Sequence, residues 1–302
     1  MERQRVLEAR GRIQGHLRLT PVVAVELPTP RGPRAVTLKL ESLQITGSFK
    51  PRGAVNSLLQ LEETDLIACS GGNHGLAVAW AAGRLGKRAH IYVPTTAAQS
   101  KIAAMRALGA DLHLVGTVPG EAFAAAEAQV AATGWPLVHP YDQVPTVAGQ
   151  GTLGLELLEQ APQVGRWLVA VGGGGFPAGV ALALGDRARV LPVEPEGCPG
   201  LFEAQRAGHP VPVKAEGAAR TSLGAPSVGP LAWSILRERA EPTFLVDEAA
   251  IAEAQSWLWS QLRIGVEPGG AVTVAALMRG ACPEAGPIGA VVCGGNVDAL
   301  PV

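Results

Sequence analysis

The stretch RWLVAVGGGGFPAGVALALGDRARVLPVEP, residues 166–195, decides the class of fold. A short apolar run, RWLVAVG (166–172), stops in four consecutive glycines, Gly172 to Gly175. A helix from about residue 177 follows, and a second β-rich run, RVLPVEP, ends at Pro195. Strand, glycine turn, helix and strand make a βαβ unit, and such units build parallel sheets. A glycine turn before a helix also leaves backbone N–H groups free to close on an anion, with the helix dipole adding to the attraction. Four glycines in a row are a costly way to make a simple turn, because each loses so much backbone freedom on ordering. The expectation is a phosphate site.

The same rhythm runs through the rest of the chain. AVTLKLESL (35–43) alternates like a half-buried strand, and PRGAVNSLLQL (51–61) opens with a proline suited to a first helical turn. LIACS (66–70), AHIYVP (89–94) and DLHLVG (111–116) read as strands. Helices are expected near 74–85, 97–108 and 120–132. Later come a helix around GQGTLGLELLEQ, a strand TFLVD (243–247) and a helix over 248–263 capped by Asp247. A helix over 269–279 and a strand GAVVCGG (289–295) follow. Segment 196–228, rich in Pro, Gly and Ala, is expected to be loop with short helix.

Composition narrows the partners. The chain has 302 residues, 47% hydrophobic and 17% charged, with a net charge of -1. That suits a compact core and gives no footprint for nucleic acid or an anionic membrane. No apolar run approaches a membrane span and the charged N-terminus is no signal peptide, so the cytoplasm is the expected compartment. Four cysteines, Cys69, Cys198, Cys282 and Cys293, show no CxxC spacing, so neither zinc nor disulfides are expected.

Two further turns carry chemistry. In CSGGNHGLAVAWAA, from Cys69, a strand again runs through a glycine turn into a helix, where free amides could hold a carboxylate. Asn73 and His74 stand at that turn, and helix capping is the competing reading. In TGSFKPRGA (46–54), Lys50 sits just before the helix that starts at Pro51. The dipole's positive end and burial both disfavour an ammonium, and an amine with a lowered pKa is a good nucleophile toward an aldehyde. Phosphate, aldehyde and amino-acid carboxylate together fit pyridoxal phosphate and an amino-acid substrate. A nicotinamide dinucleotide is the alternative for 172–194, where Gly173, Gly175 and Ala178 fit G-x-G-x-x-A and Glu194 could bind a ribose. It leaves the other two turns unexplained.

TGSFKPRGA, SGGNHG, AGQGT, GGGGFPAG, VEPEG, VEPGGA and CGGNVD occur in the order seen in fold-type II pyridoxal-phosphate enzymes. The chain resembles most the serine/threonine dehydratase branch of that family. The resemblance implies a two-domain α/β fold like the tryptophan synthase β chain, each domain a mostly parallel sheet flanked by helices. Residues 1–44 and 143–302 would form the large cofactor-binding domain, and 45–142 a small mobile domain. Lys50 would hold the cofactor in Schiff-base linkage and move the Cα proton. Phe49 would lie beside the ring, Asn73 would bond the 3-hydroxyl oxygen, and Gly172, Gly173, Gly174 and Gly175 would cradle the phosphate. Ser70, Gly72, Asn73 and His74 would grip the substrate carboxylate.

Cys293 would face the pyridine nitrogen, where the family usually has serine. A thiol is a weak donor, so the ring nitrogen should stay largely unprotonated, which suits elimination better than transamination. The implied reaction is dehydration and deamination of L-threonine or L-serine to a 2-keto acid and ammonia. Another hydroxy amino acid such as threo-3-hydroxyaspartate is an alternative substrate, and a catalytically silent amino-acid sensor an alternative function. A homodimer is usual in the family. Pro51-Arg52 after the lysine, and His74 after Asn73, separate the chain from sulfhydrylases and threonine synthases. Serine racemases have a second serine where this chain has Gly71, so racemisation is not expected. RTSLGAPSVG (220–229) lacks the carboxylates of the family's cation site, so no metal is expected. The chain stops after CGGNVD, which implies no feedback-regulatory domain.

Overall fold

The computed structural model describes residues 1–282 and 284–297. Nine strands are present among them: β1 (Val22–Leu27), β2 (Arg34–Leu40), β3 (Asp65–Cys69), β4 (Arg88–Val93), β5 (Asp111–Leu114), β6 (Arg166–Ala170), β7 (Arg189–Pro195), β8 (Phe244–Val246) and β9 (Ile288–Val292). Twelve helices accompany them: α1 (Gln4–Ile13), α2 (Pro51–Leu58), α3 (Asn73–Arg84), α4 (Gln99–Ala107), α5 (Pro119–Thr133), α6 (Val144–Gln160), α7 (Gly175–Leu184), α8 (Gly200–Ala207), α9 (Arg220–Leu223), α10 (Pro230–Arg239), α11 (Glu248–Leu262) and α12 (Pro268–Met278).

The strands form two sheets. The larger has the order β1-β2-β9-β6-β7-β8, and the smaller β3-β4-β5. Every pairing is parallel except β1 with β2. The α/β class and the βαβ unit of 166–195 are as expected, with β6 and β7 adjacent and α7 between them in sequence. The main difference lies near the N-terminus. β1 has no counterpart in the sequence reading; only Leu27 on it is buried, so its apolar signal is weak. The strand expected to reach residue 43 stops at Leu40, because Glu41 turns inward to meet Arg52.

Close helix packing explains the AGQGT motif. A Cβ on Gly149 of α6 would lie 2.7 Å from Gly53 Cα, and one on Gly151 would lie 2.7 Å from Gly179 O. These contacts let α2, α6 and α7 approach backbone to backbone. Lys50 precedes α2 and the glycine turn precedes α7, so α6 sets their relative position.

A buried ionic cluster fixes the other side of α2. Arg52 is 1% exposed and makes a two-pronged contact with Glu41 at 2.7 and 2.8 Å. It makes a second with Glu156 of α6 at 2.7 and 2.9 Å. Lys39, fully buried on β2, donates to Glu156, Gln160 and the Thr20 carbonyl at 2.6, 2.6 and 2.8 Å. Two cations and two carboxylates balance, as buried charges require.

Candidate active site

Lys50 lies at the meeting of three backbone segments. The turn before it is pinned to the strand end after β9. Phe49 N donates to Cys293 O at 3.2 Å, Gly295 N to Gly47 O at 2.8 Å, and Ser48 bridges Gly294. Thr46 takes a left-handed φ of 63°, rare for a β-branched residue, and Asn296 Nδ2 donates to its carbonyl at 2.8 Å. The Lys50 amine is directed at the Pro140 carbonyl, 2.8 Å away, and lies 5.2 Å from the Phe49 ring centre. Burial pushes its pKa down to about 8, with Cys293 and Glu267 acting the other way. A lowered pKa was expected, and burial is its chief cause.

The glycine turn is brought to Lys50 by aromatic packing. Phe176, next after the four glycines, stacks on Phe49 with centroids 3.8 Å apart and planes 14° apart. The Tyr141 ring, which follows Lys50's partner Pro140, covers the face of Gly173 that a side chain would fill. Gly174 adopts a left-handed φ of 87°, open to glycine without strain. Among the described residues, none of the amides of Gly172 to Gly175 donates a hydrogen bond. Four unpaired amides at a helix N-terminus fit a phosphate group.

Asn73 opens α3 and faces the end of β9. Its Nδ2 donates to Glu267 Oε1 at 2.5 Å and its Oδ1 accepts from Asn296 at 2.8 Å. One Nδ2 hydrogen remains for a ligand. Glu267, buried before α12, has its pKa raised by burial. Cys293 is buried too; burial holds its thiol well above the ordinary range, so it stays neutral, and its Sγ donates to Gly269 O at 3.4 Å. As a ring-nitrogen partner it is a weak donor already engaged elsewhere.

The substrate loop differs from a simple anion nest. Ser70 Oγ accepts from the Gly72 amide at 3.1 Å, so that amide is committed within the loop. The His74 ring turns inward to Val138 O, 2.9 Å away, and burial drives its pKa down to about 3. Its Nε2 is thus engaged within the fold, while its Nδ1 is buried with no hydrogen-bond partner. A Cβ on Gly71 would lie 2.7 Å from Ala97 Cβ and 3.1 Å from Val93. The loop has no room for a side chain there.

Phe49 and Lys50 are thus linked to Cys293 and, through Glu267, to Asn73, with the glycine turn joined through Phe176 and Tyr141. Sequence reasoning did not single out Glu267, Asn296 or Tyr141. Glu267 stood in VEPGGA, and an acid just before a glycine-rich helix was the available signal. The dinucleotide alternative fails on Glu194. Its two oxygens accept from Leu201 N and Phe202 N at 2.8 and 2.9 Å, capping α8 rather than awaiting a ribose. In 220–229, α9 and its flanks supply no carboxylate. Asp298, last in CGGNVD, lies outside the described residues.

Residues 13–294 match the family model described as pyridoxal-phosphate dependent enzyme. The chain belongs to that family. Pyridoxal phosphate is its cofactor, and the fold is that of fold-type II members. The chain is 36% identical over 270 residues to the L-threonine ammonia-lyase of Thermotoga maritima, covering 87% of this chain and 67% of that one. It is 32% identical to the serine racemase of Oryza sativa subsp. indica, covering 97% and 90%. The solved T.th. threonine deaminase superposes with a TM-score of 0.91 at 34% identity, covering 99% of each chain. No described helix is long and apolar enough to cross a membrane.

Proposed function

We propose that this enzyme eliminates water from a small hydroxy amino acid, L-threonine or L-serine, to give a 2-keto acid and ammonia. What supports this is the Lys50 amine, its pKa lowered by burial to about 8, with Cys293 and Glu267 acting on it and Asn73 bound to Glu267. The cofactor, when bound, supplies an aldehyde carbon and an electron sink for the charge left at Cα. Lys50 would hold the cofactor, and its amine would take the Cα proton of the substrate. An amine of pKa about 8 is well matched to that step near neutral pH. Asn73 would orient the ring through its remaining Nδ2 hydrogen, and the four glycine amides would hold the phosphate. The free amides at the start of α3 take the substrate carboxylate. A neutral Cys293 thiol facing the ring nitrogen would leave it unprotonated, which would favour loss of a β-hydroxyl over transamination.

Residues 45–142 act as a small domain that closes over the substrate and excludes water, against 1–44 and 143–302. Racemisation is the second reading, since one group of relatives is named for it. Gly71 opposes it, because no side chain stands or fits there to move a proton on the other face. Keto-acid release is to be measured across L-threonine, L-serine and threo-3-hydroxyaspartate, with D-serine formation followed in parallel. Release from threonine or serine, abolished in Lys50→Ala, is the expected result. D-serine without keto acid would overturn it.

A further inference from the structure

At the far end of the smaller sheet, away from Lys50, three side chains converge. His90 on β4 lies directly opposite Asp111 on β5, and His113 follows two residues on, on the same face. His90 Nδ1 is 3.3 Å from Asp111 Oδ2, and His113 Nε2 is 3.7 Å from the same oxygen. One ligand atom from each residue lies within 4.8 Å of the others. His113 Nε2 is buried and has no hydrogen-bond partner.

The partners of His90 set the roles of its two nitrogens. Asp65 Oδ1 is 2.8 Å from His90 Nε2, and a carboxylate only accepts, so Nε2 carries the proton. In a neutral imidazole, Nδ1 is then a lone pair, and it faces a second carboxylate, Asp111. In that tautomer Nδ1 and Asp111 Oδ2 are two acceptors 3.3 Å apart, and the unpartnered His113 Nε2 lies beside them. A cation between them, a proton on Nδ1 or a metal ion, resolves the repulsion, and the unpartnered His113 Nε2 is the observation that favours the metal. Metal-bound histidines hold their other nitrogen in this way, with the N–H on a carboxylate.

The spacing suits a small ion. Zinc–nitrogen and zinc–oxygen bonds of about 2.0–2.1 Å in a tetrahedron put ligand atoms about 3.3 Å apart. The two separations from Asp111 Oδ2 are 3.3 and 3.7 Å, and the two ring nitrogens lie within 4.8 Å of each other. Stacking fixes both rings: His90 on Trp135 with centroids 4.4 Å apart, and His113 on Tyr92 at 4.6 Å. Asp111 is 57% exposed, so the fourth position opens to solvent. We propose that His90, Asp111 and His113 bind one divalent transition-metal ion, with Asp65 orienting His90. Two imidazoles and a carboxylate select zinc-like ions over magnesium or calcium. The ion would clasp edge strand β5 to β4. Asp65 opens β3 and the Ser70 loop follows its other end, about 13 Å along the strand, so this site is separate from the cofactor.

The test is a zinc titration of the cofactor-loaded enzyme by calorimetry, alongside hydrogen exchange of the β5 amides. Wild type is expected to take up one equivalent of zinc and to show slowed exchange at β5. His113→Gln and Asp111→Asn, both near the surface, should weaken binding at least tenfold while keeping the circular dichroism and the keto-acid activity. Asp65→Asn should weaken it by about 10- to 100-fold. Absence of binding overturns the proposal. So does zinc uptake that is equal in the variants, or that leaves β5 exchange unchanged, since the ion would then sit on a cysteine or elsewhere.

Discussion

Replacing Arg52 with methionine removes one cation from a cluster of four charges, three of them buried and Glu156 only partly exposed. Methionine fills much of the same volume, so the loss is chiefly electrostatic. Four charge-assisted contacts to Glu41 and Glu156 vanish, together with a 3.2 Å bond to Thr152. Lys39 remains, 2.6 Å from Glu156, but Glu41 keeps only its hydroxyl partner Thr20. Breaking a buried pair by removing one partner costs about 3–5 kcal/mol. For a chain of 302 residues that corresponds to a fall in Tm of about 5–8 °C. The assay is thermal unfolding of the cofactor-loaded protein followed by circular dichroism. A second substitution gives the decisive comparison. Arg52→Met with Glu41→Gln restores charge balance, leaving Lys39 and Glu156, and should regain at least about 1 kcal/mol over the single variant. A single variant that melts within about 1 °C of wild type would refute this account. So would a double variant less stable than the single one.

Four other outcomes are expected. With Lys50 titrating at about 8, the rate at which apoenzyme captures pyridoxal phosphate should rise about tenfold per pH unit below that point and level off above it. The native state gives up this proton before the unfolded chain does, so apoenzyme stability should also rise from pH 8 toward 10.5. His74 is held neutral down to about pH 3, whereas the unfolded chain protonates it near 6.5. Stability should therefore fall with acid through that window by about 1.4 kcal/mol per pH unit, and His74→Gln should flatten the slope in urea melts taken at several pH values. Gly71→Ser should cost about 1–3 kcal/mol by overpacking against Ala97, and adding Ala97→Gly should recover most of it in thermal melts. Gly174→Ala forces a side chain into a left-handed backbone 2.9 Å from Ala232 Cβ, and should weaken cofactor affinity at least tenfold in a spectroscopic titration.

Much of the site was legible because its parts are local. The glycine turn, the asparagine at the head of α3 and the lysine before α2 each show as a strand–turn–helix junction within a dozen residues. What joins them is not local. The bonds from Asn296 to Thr46 and to Asn73 span 250 and 223 residues, and Glu267 reaches Asn73 across 194. No periodicity or spacing reports such contacts. His74 shows the opposite failure. Its place in the loop was plain, but the direction of its ring depends on Val138, in a different segment. β1 escaped notice for a related reason, since its regularity comes from pairing with β2 rather than from its own half-exposed pattern.

The strand end that pins the Lys50 turn sets an order of events during synthesis. Residues 46–49 leave the ribosome early, but their partners Cys293, Gly295 and Asn296 emerge up to 250 residues later. Until then Thr46 has nothing to hold its left-handed backbone, and the lysine turn stays unset. At about 5–20 residues per second, that interval is on the order of 10–50 s. Any nascent fragment released before residue 293 should therefore leave the Lys50 amine in water, titrating as an ordinary lysine and unable to retain the cofactor.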